Sequence, residues 1–314
     1  MNFFRMFDTS TWFLLGVCSI GSGMVLGILS LLPRRGHEKP VRPLHASMSP
    51  GPQAIATQRG QTQVFAHSII GTRKSQQDYV YIPDASLDPA LLLQRGKLCL
   101  VCDGMGGMQG GEQASRQCAQ VLYSSFYQGP DLAPVDFFRQ AIPKANQAVA
   151  ALKDSRGQPL GGGTTLVCAI LQGNRMYYAS VGDSRIYLFR KGVLSCLTRD
   201  HNYLLTLMEK VRGGALEEEE ARRHPKREAL ISYIGIGDLK IVDIAPEPLM
   251  LASGDVVLLC SDGLYKSLSH GEISAALASH AHAPEGTAQC LTAAAAGKKE
   301  RSLDNTSVVI ISCT

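Results

Sequence analysis

The stretch KLCLVCDGMGG, residues 97–107, decides how the rest of the chain reads. Six residues with an apolar majority predict a strand over 97–102, and an aspartate followed by glycines ends it abruptly at Asp103. The pattern recurs. LLCSDGL at 258–264 puts Asp262 and Gly263 after a second apolar run. SVGDSR at 180–185 sets Asp183 between two runs, and Asp304-Asn305 directly precedes a last run at 307–312. Four carboxylates at strand ends would meet at one edge of a pair of sheets. Carboxylates brought together repel and are costly to desolvate, so such a cluster calls for cations. Oxygen-only ligation selects magnesium, manganese or calcium over zinc or copper.

Working outward, strands are predicted at 63–70, 79–83, 97–102, 164–171, 175–181, 184–190, 255–260 and 307–312, with hairpins at Gly173-Asn174 and Gly192. Helices are predicted at 111–127, 134–153, 201–211, 217–223, 271–279 and 284–297. Glu217 to Glu220 open one of them and Arg222 and Arg223 close it, which suits the helix dipole. Strands and helices do not alternate strictly. The expected fold class is therefore α+β with antiparallel sheets, not a doubly wound parallel sheet.

Upstream the text is different. Residues 11–32, TWFLLGVCSIGSGMVLGILSLL, carry no charge. As a helix they span about 33 Å, against a hydrocarbon core of about 30 Å. Arg34 and Arg35 follow directly and only Arg5 precedes, which argues for a transmembrane helix over a cleaved signal and puts everything after Pro33 in the cytoplasm. Residues 33–60, with Pro33, Pro40, Pro43, Pro50 and Pro52, read as a linker, and 61–314 as one domain.

The chain has 314 residues, 45% hydrophobic and 18% charged, enough for a large core. The net charge of +4 is mild, and its basic clusters (Arg34 to Arg42, Arg222 to Arg227) lack interleaved aromatics, which weighs against nucleic acid as a partner. Nine cysteines, an odd number without repeating spacing, suit reduced buried thiols. Cys99 and Cys102 lack a second ligand pair and point to opposite faces of a strand, so no zinc site is expected.

The ordered set Gly71-x-Arg73-x-x-Gln76-Gln77-Asp78, DGMGG at 103–107, GGTT at 162–165, VGDSR at 181–185, Thr198-Arg199-Asp200-His201, SDGL at 261–264 and DNTSVV at 304–309 closely resembles the bacterial branch of the metal-dependent protein phosphatases, the protein phosphatase 2C type. The resemblance covers about 250 residues. It implies a central β-sandwich flanked by helices on both faces (α-β-β-α), and hydrolysis of phosphoserine and phosphothreonine in other proteins, the substrates of serine/threonine kinases. It also implies two Mn2+ or Mg2+ ions with a third in some members. Carried over by position, Asp103 resembles the carboxylate that bridges both metals, with Gly104 offering its carbonyl, and Asp262 and Asp304 resemble ligands of the second. Asp183, with Asp262, resembles the holder of a third. Asp78 resembles an outer acceptor for metal-bound water, and Arg73 the arginine that grips the substrate phosphate. Residues from Tyr203 to Arg227 correspond to a variable flap beside the site.

Two positions depart from the pattern. Gln77 stands where an acid is usual, which removes a charge near the second metal. Met105 stands where some relatives carry His, and a thioether cannot donate a proton. The competing expectation is an inactive member of the fold serving as a phosphoprotein-binding scaffold; such a protein should have lost metal aspartates, and Asp103, Asp262 and Asp304 are all present.

Overall fold

The computed structural model describes residues 62–314 apart from 85, 107–109, 280–282 and 299–301. The expected transmembrane helix at 11–32, the linker at 33–60 and Gly107 lie outside the described residues. Among the described residues no helix is long and apolar enough to cross a membrane.

The chain opens with β1 (Thr62–Ile69), β2 (Tyr79–Tyr81), α1 (Pro89–Arg95), β3 (Lys97–Cys102) and β4 (Gly104–Met105). Two long helices follow, α2 (Gly110–Tyr127) and α3 (Pro134–Ala150), then β5 (Gly163–Thr164), β6 (Leu166–Gln172) and β7 (Arg175–Val181). Next come β8 (Arg185–Arg190), β9 (Val193–Cys196), α4 (Tyr203–Arg212), α5 (Glu218–Arg223), β10 (Asp243–Ile244) and β11 (Leu249–Met250). The chain closes with β12 (Val256–Cys260), α6 (Asp262–Ser267), α7 (His270–Ser279), α8 (Pro284–Ala296) and β13 (Thr306–Cys313).

Two antiparallel sheets result. One runs β1-β13-β12-β8-β9, the other β10-β7-β6-β3-β2 with β11 also on β7, and β4 and β5 form a small ribbon. Burial along the strands shows how they stack. Cys99, Val101, Val167, Ala169, Val257, Leu259, Val309 and Ile311 fill the layer between the sheets. The residues in between turn outward. Leu98, Leu100, Cys168 and Ile170 pack on α2 and α3, while Leu258, Cys260, Val308 and Ile310 pack on α6, α7 and α8. Because both faces of each sheet are covered, the central strands are apolar at nearly every position rather than at alternate ones. Cys99 and Cys102 fall in different layers and both are free thiols, so they do not form a joint site.

Three departures from expectation have local causes. The predicted strand 164–171 is broken at Thr165, whose backbone and hydroxyl both bond Asp103 (Thr165 N to Asp103 O 2.8 Å, Asp103 N to Thr165 Oγ1 3.0 Å). SDGLYKS, where no helix is predicted, forms α6, with Asp262 in its favourable first turn. The short helix α1 was also unexpected; Asp88 caps it through a bond from Ala90 N at 2.8 Å.

Candidate active site

The register of the sheets brings the aspartates to one end of the sandwich. Tyr79 pairs with Cys102, so Asp78 and Asp103 leave neighbouring strands side by side. Cys260 pairs with both Val308 and Arg185, which sets Asp262, Asp304 and Asp183 around the same edge of the other sheet. Each position is braced by a motif residue. Thr164 Oγ1 donates to Asp103 O at 2.9 Å, and Thr165 Oγ1 meets Ser184 Oγ at 2.7 Å, tying the GGTT and VGDSR segments together. Asn305 accepts from Gln77 N at 2.8 Å and donates to Ile70 O at 2.9 Å and Ser75 O at 3.2 Å, so it fixes the loop that carries Arg73. Tyr265 donates to Asp183 O at 2.9 Å beneath the Arg185 guanidinium, which lies 3.6 Å from the ring centroid and is itself held by both oxygens of Asp200.

Gly263 is required by a close approach. A Cβ there would lie 2.2 Å from Asn305 O, so only glycine lets α6 start against the segment that carries Asp304. Gly104 is held likewise: a Cβ would lie 2.2 Å from Gly111 O and 2.5 Å from Gln77 O.

The carboxylates are electrostatically frustrated. Asp78 is buried; Ser261 Oγ donates to its Oδ2 at 2.8 Å, and its Oδ1 has no hydrogen-bond partner. Burial, with the charges of Asp262 and Asp304, pushes Asp78 up to about 7 against the Ser261 and Ser307 bonds. Burial and the charges of Asp78, Asp262 and Asp183 push Asp103 well above the carboxylate range, and its carboxyl group is within hydrogen-bonding reach of Asp262. Burial and Asp262 raise Asp183 to about 6, with Lys266 opposing. Acids gathered at one end of the sandwich, one of them with a bare buried oxygen, and oxygen-only chemistry fit a hard divalent cation.

The cluster is not a closed cage: among the described residues no three His, Cys, Asp or Glu side chains are drawn together tightly enough to hold an ion. Two of the acids lie on cations of the chain itself. Arg73 Nη2 is 2.6 Å from Asp304 Oδ2, and Lys266 Nζ is 2.5 Å from Asp262 Oδ2. Arg73 thus stands at the rim with half its side chain exposed, in reach of the cluster.

His201 serves the loop. Its Nδ1 accepts from Gly182 N at 3.2 Å and its backbone N donates to Gly182 O at 2.9 Å, pinning the turn that carries Asp183. Its Nε2 lies 3.1 Å from Asp243 Oδ2 without hydrogen-bond alignment, and burial lowers its pKa. Sequence reading missed Ser261, Thr165, Asn305 and Lys266. For Lys266 a signal was present, the i,i+4 spacing from Asp262 once a helix is allowed there.

The family model described as protein phosphatase 2C matches residues 62–207. A serine/threonine phosphatase stp of Listeria monocytogenes is 32% identical over 186 residues, 58% of this chain and 72% of that protein. The solved serine/threonine phosphatase of S. agalactiae superposes with a TM-score of 0.68 at 27% identity, covering 81% of this chain and 100% of that one. The catalytic domain of the phosphatase PstP, solved in complex with two manganese ions, gives 0.62 at 29% identity, covering 81% and 98%.

Proposed function

This chain belongs to the protein phosphatase 2C family and is a metal-dependent serine/threonine protein phosphatase, and we propose that its five clustered aspartates hold the metal ions and orient water for that reaction. The observation that carries the reading is the strand register that brings Asp78 and Asp103 from one sheet, and Asp183, Asp262 and Asp304 from the other, to one end of the sandwich. Asp103, the Gly104 carbonyl, Asp262 and Asp304 would hold the two ions. Asp183 would share Asp262 with any further ion. Manganese or magnesium fits the donor set equally well, and PstP with two manganese ions favours the former.

When bound, the ions supply the Lewis acidity that makes water nucleophilic near neutral pH. The chain's own groups do the rest. Asp78, half-satisfied by Ser261, accepts a hydrogen bond from water through Oδ1 and so aims it. Arg73, paired with Asp304 at the rim, would offer its planar fork of donors to the substrate phosphate. Water attacks phosphorus opposite the seryl or threonyl oxygen, the P–O ester bond breaks, and that oxygen leaves as a hydroxyl with one proton that comes from water, the other staying with the phosphate. Met105 takes no part in the proton transfer.

Residues 11–32 would anchor the enzyme in the membrane, with the catalytic domain on the cytoplasmic side and phosphorylated proteins as substrates. The chain should hydrolyse p-nitrophenyl phosphate and a phosphothreonine peptide only with manganese or magnesium present. Activity that survives EDTA, or Asp103→Ala together with Asp262→Ala, would discredit the metal assignment. Release of the full chain from membranes by alkaline carbonate would discredit the anchor.

A further inference from the structure

The acidic site contains a cation of its own. Lys266 lies one helical turn after Asp262 in α6, its ammonium pairs with Asp262 Oδ2, and the charges of both act on Asp183. The charges of Asp183 and of Glu228 act on the ammonium as well. The neighbouring Tyr265 fixes the geometry: its hydroxyl binds Asp183 O, and Arg185 covers its ring. Helix α6 therefore cannot move Lys266 away from Asp183 without breaking that brace.

Resting on the ligand assignments above, we propose that Lys266 is a built-in monovalent cation at the Asp183–Asp262 edge, which limits this enzyme to two divalent ions where an uncharged or acidic residue would admit a third. The charges agree. Asp78, Asp103, Asp183, Asp262 and Asp304 carry five negative charges when ionised; two divalent ions and one ammonium match them, and Arg73 is left over for the phosphate. A third divalent ion has to displace the ammonium or sit beside it, and like charges at such range repel. Half of the Lys266 side chain is exposed, so the block is one of competition, not of sealing.

The test is Mn2+ binding by the full chain, counted from the electron paramagnetic resonance of free Mn2+, with no substrate and no turnover. The parent should take up two ions per chain well beyond saturation of the first pair. Lys266→Gln should admit a third, tightening its apparent binding by roughly five- to tenfold, and Lys266→Glu should tighten it more. Adding Asp183→Asn to Lys266→Glu should return the count to two. A third ion on the parent that Asp183→Asn removes, or a count of two in both Lys266 variants, overturns the role of Lys266 and leaves the ligand assignments standing. Retention of both ions by Asp103→Ala overturns those assignments, and the proposal with them.

Discussion

Asp78→Asn should make the fold more stable in EDTA near neutral pH, and the advantage should fade in acid. Asp78 titrates near 3.8 in the unfolded chain and at about 7 in the fold, because burial and neighbouring carboxylates disfavour its charge. Between these values the folded chain keeps a proton that the unfolded chain has released. Stability is therefore greatest at low pH and is lost as the pH rises through about 7. Moving from about pH 7.5 to about pH 5.5 should restore ~2 kcal/mol to the parent that the Asn variant, having no proton to regain, does not receive. For a domain of this size that is a change of about 4–8 °C in the Tm difference between the two proteins. His201 and Asp183 are present in both and largely cancel. Asp103 is also relieved by the loss of the Asp78 charge, so it changes in the same direction. Thermal melts of both proteins in EDTA at the two pH values measure the double difference. A gap independent of pH, or one that widens in acid, would refute the claim that repulsion and burial hold Asp78 protonated. Saturating Mn2+ should reverse the order at neutral pH, since binding to the native state at about a hundredfold excess over Kd adds about 2.7 kcal/mol.

Two further outcomes follow from the site. Arg73→Ala should raise KM for the phosphothreonine peptide more than it lowers kcat, because the side chain reaches the site from an exposed rim; steady-state kinetics showing the opposite split would reject the phosphate-gripping role. Gly263→Ala should cost about 1–3 kcal/mol and weaken Mn2+ binding, because the new methyl collides with Asn305 O and must part Asp262 from Asp304; urea unfolding and a Mn2+ titration read the two effects separately.

The runs at 97–102 and 256–260 were visible in sequence because their residues are apolar and β-branched or compact, and the aspartates were visible because each follows or precedes such a run. The layer order was not readable from those runs. Leu98 and Cys99 are equally apolar, yet one faces helices and the other the opposing sheet. Helix α6 was hidden because six residues give too little periodicity, and Ser261, which looks like an ordinary cap, spends its hydroxyl on Asp78. Site residues that act through tertiary hydrogen bonds, such as Asn305 and Thr165, leave no periodic trace at all. The same applies to Lys266, whose meaning depends on a helix that the sequence pattern does not announce.

Strand β13 is the final strand in chain order but an interior one in space, lying between β1 and β12 with Ile69 opposite Thr306 and Thr62 opposite Cys313. Asp304 and this interior strand therefore come after both of their sheet neighbours, β1 and β12, in the order of synthesis. A nascent chain still short of residue 304 has β1 and β12 without their common neighbour, and its acidic edge lacks one carboxylate. The acidic edge is complete only once β13 has taken its place between β1 and β12.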